Sequence, residues 1–469
     1  MSVVATNPSP TGVNRLGITQ PIIHASDLHK PEYDPKYYTR YPDDGQMIKF
    51  LYDRALVKRI RNESITHFEQ PRTVQSFKVV NQAGGSAGAA VTLTLHTDSH
   101  DANGYSFVRN NDVIMFAGGV RAQVSSKADT GGASGANTIS VTPLISGESI
   151  PATTNGEVVI ILTNLFPTGS TGPTSRSWEP IKVTSFTQII REAYKIENSS
   201  RFSQTWVKDL TLGPDHPLVR NKLFTPGDYK FVNDSAHTYC MFRVAQEMAL
   251  MMGVRATNNL VLNAQAGSDQ NSMKGLIPSI QDDGLNPTPY TVGSFGLTEM
   301  EAITTLLIQQ GGAKENMFMT GISLSQEMNS FLHTLYENGA VTYGAFGNSK
   351  DRAVTYGFDS FTLDSFTFHK QVYNLFSHPE LLGAANFDYS GKGFVVPLDT
   401  QYDSQKGESI PSLRMLVRGD RDTIAEVRGG MTGHAGLNQS SEDAVYSDYL
   451  SEIGLQTVAL NRFVWVDHA

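Results

Sequence analysis

Five stretches of the chain carry apolar residues at every third or fourth position, a spacing that predicts amphipathic helices. They are residues 46–61, 185–198 and 233–255, a stretch from Thr298 to the stop at Gly311 and Gly312, and one from Ser323 to Gly339. The last two begin with capping-box spacing. A strand at residues 316–320 lies between them, which predicts a helix–strand–helix segment.

The helix at residues 233–255 is the longest of these predictions. At 1.5 Å per residue it would span roughly 34 Å, with Asn233 or Asp234 as its N-cap and Gly253 near its end. Its apolar stripe consists of Ala236, Cys240, Val244, Met248 and Met251 or Met252. We expect this stripe to face the core, which would leave the thiol of Cys240 buried and inert.

Between residues 74 and 173 the pattern changes to short alternating runs that predict strands. The runs are 90–96, 112–116, 120–125, 138–143 and 157–163, separated by glycine- and serine-rich loops. They predict a compact β-module inserted into a longer excursion of the chain. Further strands are predicted within 354–376, 413–418, 424–428 and 450–466, so the expected fold class is α+β.

The first 45 residues contain six prolines and no sustained apolar period, which predicts an extended arm that cannot bury itself. The opening ten residues lack the cationic and apolar segments of a secretory signal, so we expect none. The uncharged apolar runs fall far short of the 18 or more residues that cross a bilayer, so no membrane partner is expected.

Charge and cysteine content narrow the function classes. The 469 residues include 37 Lys and Arg against 46 Asp and Glu, a net charge of −9. A dedicated DNA reader is disfavoured, because no basic surplus exists to neutralise phosphates. Charged residues make up only 18% of the chain, which leaves uncharged polar surface suited to packing against other chains. The single cysteine excludes an intrachain disulfide and any zinc site that needs two thiolates.

Two polar clusters in the β-module have the residue types of chemical sites. Ser86 lies in a G-x-S-x-G sequence, but a nucleophile elbow needs a helix after the serine, and here a strand follows. We therefore interpret it as a loop. His96, Asp98, His100 and Asp101 would hold a divalent metal only if their side chains converged, and we interpret them as a solvated turn.

Three further motifs are interpreted structurally. His237 is three residues before Cys240, but on an apolar stripe this spacing favours a buried thiol over a nucleophile. The Arg-Gly-Asp sequence at residues 418–420 is interpreted as part of a surface ion-pair cluster, and Lys392 lacks the glycine spacing of a phosphate loop. The sequence thus predicts no catalytic residue, no cofactor-binding residue and no metal site, and the protein is not expected to be an enzyme.

The order of these elements resembles the major capsid protein of tailed bacteriophages, which has the Hong Kong 97 fold. By that resemblance residues 1–45 are an N-terminal arm, and 46–190 are the E-loop region with its β-module at about 74–173. Residues 191–297 and 441–469 form the peripheral domain, with the spine helix at about 233–255. Residues 298–440 form the axial domain.

Short segments are similar to a phage capsid subfamily with such an insert. They are NDVIMF at residues 111–116, SFTQII at 185–190 and MKGLI at 273–277. The chain differs from some relatives of this family because no heptad pattern of a scaffolding coiled coil precedes Gln46. A separate scaffold protein and a short removed peptide both remain open.

The resemblance implies a structural subunit that assembles with copies of itself into hexamers and pentamers of an icosahedral head shell. Portal, scaffolding and head-decoration proteins would be its other partners, and packaged double-stranded DNA would touch it only weakly and without sequence preference. It would be assembled in the host bacterial cytoplasm and end in the virion. The alternatives are an encapsulin-like nanocompartment shell and a hydrolase that uses the Ser86 loop.

Overall fold

The computed structural model describes residues 45–70, 75–99, 105–129, 137–173, 175, 180–197, 199, 229–256, 272–337, 360–402, 409–429 and 442–469. Helices and sheets both occur, so the fold class is α+β, as the sequence pattern predicts. The chain divides into two compact units, residues 1–66 with 184–469, and the inserted residues 67–183. Apart from residue 45, the predicted arm lies outside the described residues.

The helices and strands have the following bounds. The α-helices in the described part of the chain are α1 (Gln46–Asp53), α2 (Tyr229–Met252), α3 (Leu276–Asp283), α4 (Leu297–Gln310), α5 (Ile322–Glu337) and α6 (Asn374–Ser377). The first strands are β1 (Val57–Ile60), β2 (Ser64–Glu69), β3 (Ser76–Val79), β4 (Val91–Thr94), β5 (Asp112–Met115), β6 (Arg121–Ala128), β7 (Thr138–Pro143), β8 (Glu157–Asn164) and β9 (Ile181–Glu197). They are followed by β10 (Glu315–Thr320), β11 (Ser360–Leu363), β12 (Phe366–Val372), β13 (Gly393–Pro397), β14 (Thr400–Tyr402), β15 (Ser409–Pro411), β16 (Leu413–Arg418), β17 (Ile424–Gly429), β18 (Ala444–Thr457) and β19 (Val464–Val466).

The main sheet of the first unit has the strand order β1-β16-β18-β9-β2. Strand β18 pairs antiparallel with β9, from Ala444 opposite Glu197 to Gly454 opposite Thr187. On its other side β18 pairs first with β17 and then with β16, and β16 pairs parallel with β1. Residues 451–457 of β18 are all buried, as expected for a strand covered on both faces.

A second sheet in the same unit has the order β11-β12-β10-β13-β19. Strand β10 is parallel to β12 and antiparallel to β13. On one face, Met300 and Ile303 of α4 and Leu324 of α5 pack against Phe318 and Val395 of the sheet. The predicted helix–strand–helix segment is therefore confirmed as α4, β10 and α5.

One large core cluster joins the two sheets through helices α1, α2 and α3. It contains Met415, Tyr449 and Leu455 from the main sheet, Leu250 from α2 and Phe394 from the second sheet, together with residues of α1 and α3. This shared core makes the first unit a single packed body, in which the helices lie between strands that are far apart in the sequence.

The inserted unit is a closed six-stranded barrel. Its strands follow the order β3-β8-β5-β6-β7-β4. A bridge between Val79 and Leu95, with a 2.9 Å hydrogen bond from the Val80 N–H to the Thr94 carbonyl, joins the last strand to the first. Inward side chains such as Ile114 and Val159 fill its own core. The five predicted strands of the β-module are confirmed as β4–β8, and β3 completes the barrel.

Two helix predictions are wrong at the main sheet. Residues 185–197 of the predicted helix form most of strand β9 instead, because threonine and isoleucine there favour strands and the long pairing with β18 overrides the helical spacing. The helix predicted at 46–61 ends at Asp53, and residues 57–60 form β1. Ala55 separates the two elements with a positive φ of 53°.

The predicted burial of Cys240 is also wrong, because its side chain is exposed. Helix α2 begins at Tyr229 and instead turns a face containing Ser235, Gln246 and Glu247 inward, together with Phe242 and Leu250. These polar residues can be buried because they have hydrogen-bond partners; for example, the Ser235 hydroxyl donates to Ser447 Oγ at 2.9 Å. The buried face of α2 therefore differs from the apolar stripe predicted from the sequence.

The remaining differences are smaller. Helix α4 begins at Leu297, and its capping carboxylate is Glu299, whose Oε2 accepts the Gly296 N–H at 2.8 Å. Gly311, with φ 65°, ends α4 as predicted. Helix α3 accommodates Pro278 in its first turn. Strands β16 and β17 fall within the range 298–440 that the resemblance assigns to the axial domain, and they pair with β18 of the main sheet. Strand β19 falls within 441–469 and completes the second sheet.

Candidate functional site

Ser86 does not lie in a nucleophile elbow. Ser86 is exposed, its carbonyl accepts the Ala89 N–H at 3.1 Å, and the chain continues into strand β4. A nucleophile elbow would require a helix at that point. The geometry is therefore that of a surface turn.

Only two members of the candidate metal-ligand cluster, His96 and Asp98, lie among the described residues. Asp98 Oδ2 binds Lys78 Nζ at 2.7 Å, and this hydrogen bond lowers the pKa of Asp98. His96 Nδ1 accepts the Asp98 N–H at 3.2 Å, while His100 and Asp101 lie outside the described residues. Among the described residues no group of three His, Cys, Asp or Glu side chains is placed to hold a metal ion.

The other singled-out residues take structural positions. Lys392 Nζ lies 3.0 Å from Asp467 Oδ1 and 4.9 Å from the ring centre of Tyr389. His237, like Cys240, is exposed on α2. Among the described helices, none combines the length and the apolar character of a membrane-spanning segment.

A ribbon formed by β2 and β9 carries the chain into and out of the inserted barrel. The hydroxyls of Thr66 and Thr184 lie 3.1 Å apart across it. The pairing of β9 with β18 ends at Thr187, so residues 181–186 continue beyond that pairing. Phe68 and Ile181, at the far end of the ribbon strands, are 65% and 54% exposed. The ribbon thus presents large apolar side chains that the described chain does not cover.

The ribbon leaves the main sheet at a close backbone approach. A Cβ added at Gly454 of β18 would lie 2.4 Å from the carbonyl oxygen of Phe186. The Arg255 guanidinium stacks over the Phe186 ring at 3.8 Å, and the Thr187 N–H donates to the Glu63 carbonyl at 2.9 Å. Gly454 is therefore needed for the two strands to approach so closely.

A cluster of ion pairs lies at the end of the main sheet where the ribbon leaves it. The buried Glu452 of β18 accepts hydrogen bonds from Arg418 and Arg421, each at 2.7 Å. Arg418 also lies 3.1 Å from Glu63, the residue before β2. The hydrogen bond to Glu452 raises the pKa of Arg418. The predicted surface ion-pair cluster thus includes a buried carboxylate at the root of the ribbon.

A second buried carboxylate lies where the N-terminal segment joins the body. Glu247 of α2 accepts hydrogen bonds from the N–H groups of Met47 (2.6 Å) and Ile48 (3.1 Å) in the first turn of α1. The Tyr373 hydroxyl donates to the same carboxyl group at 2.5 Å. Because Gly45, the N-cap, has no side chain to cap α1, Glu247 supplies this function from another helix.

Burial raises the pKa of Glu247, although the hydrogen bonds from Tyr373, Met47 and Ile48 act in the opposite direction. Sequence reasoning missed both Glu247 and Glu452. The available signal was a charged residue inside an otherwise apolar run, at Gln246–Glu247 and at Glu452. Neither arrangement presents a reacting atom to solvent, so both carboxylates position chain segments.

Comparisons with known proteins give structural similarity at low sequence identity. A scan against protein-family models finds no match, and a search of curated proteins finds none. A structure from Microbacterium phage Oxtober96 is 8% identical, with a TM-score of 0.39, and the match covers 96% of this chain and 99% of that one. The capsid of an empty GTA particle is 9% identical, with a TM-score of 0.34 and coverage of 96% and 98%. The capsid structure of the cyanophage P-SCSP1u is 10% identical, with a TM-score of 0.33 and coverage of 66% and 80%.

Proposed function

We propose that this chain is a major capsid protein, a structural subunit of the Hong Kong 97 fold that assembles into the icosahedral head of a tailed bacteriophage. Hexamers and pentamers of identical chains form the shell around double-stranded DNA. The protein has no catalytic role, and it ends in the virion after assembly in the host bacterial cytoplasm.

The β2–β9 ribbon is the observation that carries this proposal. It continues beyond the pairing with β18, exposes Phe68 and Ile181, and leads into a barrel with a separate core. Ordering such a ribbon costs conformational entropy that its own contacts offset poorly. Contacts with neighbouring copies supply the missing burial, and head-to-tail contacts of identical chains close into rings.

The domain assignment follows from the same proposal. Residues 1–45 are the arm, whose last residue precedes the Glu247-capped helix α1. Residues 46–190 are the E-loop region with the barrel inserted, α2 is the spine helix, and 191–297 with 441–469 are the peripheral domain. Residues 298–440 are the axial domain, built around α4, β10 and α5.

The net charge of −9 fits a container for DNA. A wall that repels DNA weakly lets the genome be packed without tight binding, and counterions screen this repulsion over about 10 Å. Portal, scaffolding and head-decoration proteins are the other partners that this role requires.

Electron microscopy of the purified full-length chain tests the proposal. Rings of five and six subunits, or closed shells, are the expected products at high protein concentration. As a matched control, Ser86→Ala should assemble like the wild-type chain, because Ser86 lies in a surface turn. A wild-type chain that stays monomeric at high concentration, with or without a co-expressed scaffold protein, would refute the proposal.

A further inference from the structure

Glu247 differs from the other buried carboxylate because no described cation is paired with it. The side chain of Glu452 forms ion pairs with Arg418 and Arg421, each at 2.7 Å. Glu247 is fully buried, and the described groups that contact its carboxyl group are two backbone N–H groups and a tyrosine hydroxyl, all of them neutral. A buried charge without a counter-ion is costly, and such a group tends to become neutral instead.

The nearest charge on the same helix does not compensate this burial. Arg243, one turn earlier on α2, directs its Nη1 toward Gln246 Oε1 at 3.4 Å. Burial has the largest effect on the pKa of Glu247 and raises it, whereas the charge of Arg243 lowers this pKa less than the hydrogen bonds do. The direction of the shift therefore agrees with a carboxyl group that keeps its proton in the folded chain.

The other titratable groups on the elements around Glu247 have contacts elsewhere. The charged side chains of α1, on Lys49 and Asp53, are exposed. Those on the other packed elements are hydrogen-bonded or paired: Tyr449 of β18 with Ser235, Asp422 before β17 with Tyr52, and Asp282 and Asp283 of α3 with Lys274. Tyr373 is the titratable side chain that contacts the carboxyl group directly.

The contact with Tyr373 can hold the proton. The Tyr373 oxygen lies 2.5 Å from Glu247 Oε1, at the short end of the range for O–H···O hydrogen bonds. When the carboxyl group is protonated, its O–H donates to the Tyr373 oxygen, while Oε2 still accepts the Ile48 N–H at 3.1 Å. The neutral carboxyl group therefore keeps a hydrogen-bond partner on each oxygen.

Opening of α1 would change the environment of this carboxyl group. The first turn of α1 covers it through Met47 and Ile48, whose side chains are buried in the large core cluster. Once this turn opens, water reaches the carboxyl group, its pKa returns to the ordinary value of a glutamate, and the proton leaves at neutral pH. Residues 1–44 directly precede this turn, so its stability decides how the N-terminal segment is joined to the body.

We propose that docking of α1 on the body is proton-dependent. Helix α1 stays docked while Glu247 holds a proton in its contact with Tyr373, and loss of that proton opens the first turn. Because burial raises the pKa of Glu247 in the docked state, its contribution to docking is complete below the ordinary pKa and is lost as pH rises through the raised value. This device does not depend on the shell function and operates in the unassembled chain.

Hydrogen exchange of the α1 amides as a function of pH tests this inference in the full-length chain. Between pH 5 and pH 8 the protection factor of residues 46–53 should fall, by up to about tenfold per pH unit where one proton is released on opening. The amides of α4, residues 297–310, are the internal reference and should show no comparable fall.

Two glutamine variants separate the proton from the rest of the contact. In Glu247→Gln the amide has no proton to lose in this range, so the protection of α1 should be nearly independent of pH. Glu301→Gln makes the same chemical change at an exposed residue of α4 and should keep the wild-type pH dependence. If Glu247→Gln does not fold, as judged from the α4 amides, the pH profile of the wild-type chain still decides.

Infrared spectroscopy observes the proton itself. Exposed carboxyl groups are ionised at pH 7, so the wild-type chain should retain the C=O stretching band of a protonated carboxyl group at this pH. The band should be missing in Glu247→Gln and present in Glu301→Gln. Its absence from the wild-type chain would show that Glu247 is ionised in the docked state.

The outcomes separate this inference from a simple capping role and from the proposed function. Protection of α1 that is flat or rises with pH in the wild-type chain would overturn it, because an ionised Glu247 would then act as a cap alone. A Glu247→Gln variant that keeps the wild-type pH dependence would assign the effect to another group. All these measurements use the unassembled chain, so their failure leaves the capsid proposal standing, and a failure of assembly leaves this inference standing.

Discussion

Replacing Glu247 should loosen the point at which the N-terminal segment joins the body. In Glu247→Ala the N–H groups of Met47 and Ile48 and the Tyr373 hydroxyl lose the carboxyl group that accepts these three buried hydrogen bonds. A buried unsatisfied polar group costs about 1–3 kcal/mol, and the loss of a helix cap costs about 1 kcal/mol. These costs overlap, so we expect α1 to be destabilised by about 3 kcal/mol.

Glu247→Gln is the more informative variant because it keeps the side-chain volume. Its amide oxygen can accept one backbone N–H and its amide nitrogen can donate to the Tyr373 oxygen, so about 1–2 kcal/mol should be lost. The pH dependence has a definite sign. Since burial raises the pKa of Glu247 in the folded state, this group favours folding most below its unfolded pKa, and that contribution is lost as pH rises through the folded pKa.

Hydrogen exchange of the α1 amides measures both effects without requiring two-state unfolding of the whole chain. Protection of residues 46–53 should fall about a hundredfold in Glu247→Ala, corresponding to about 3 kcal/mol. The cost of Glu247→Gln should be largest at acid pH and shrink as pH rises. His237→Gln, at an exposed residue of α2, is a control that keeps the carboxylate. Equal protection in wild-type protein and Glu247→Ala would refute the capping role.

Three further perturbations test other parts of the structure. Gly454→Ala should lower the free energy of unfolding by about 1–3 kcal/mol, because the new Cβ would clash with the Phe186 carbonyl oxygen. Unchanged hydrogen exchange in β9 would contradict this close approach. Glu452→Gln should lower the free energy of unfolding by about 1–3 kcal/mol, a figure reduced because Arg418 is partly exposed, and should raise hydrogen exchange in β2. An effect confined to β16 would argue against a role of Glu452 at the root of the ribbon. Ile114→Ala, fully buried in the barrel, should cost about 2–5 kcal/mol. Its loss of protection should stay within residues 67–183, and loss across the first unit would show that the barrel lacks an independent core.

The local pattern determined the elements whose burial depends on their own neighbours. The barrel strands β4–β8 were predictable because each is a short run rich in β-branched and apolar residues that ends at a turn segment. Helices α4 and α5 were predictable because their apolar faces have helical spacing and Gly311 supplies the left-handed stop. In these cases local preference and tertiary environment agree.

Only the tertiary structure decided the features that depend on distant residues. Strand β9 has helical spacing, yet its pairing with β18, some 250 residues away in the chain, makes it extended. The inward face of α2 carries Glu247, which the predicted apolar stripe does not include. The groups that donate hydrogen bonds to Glu247, on α1 and at Tyr373, are brought to it only by the fold. A buried polar group is stable only when its partners are in place. The sequence by itself therefore determined the barrel strands and the helix–strand–helix segment. Long-range pairing and hydrogen bonding decided the extended form of β9, which faces are buried and where the ribbon leaves the sheet.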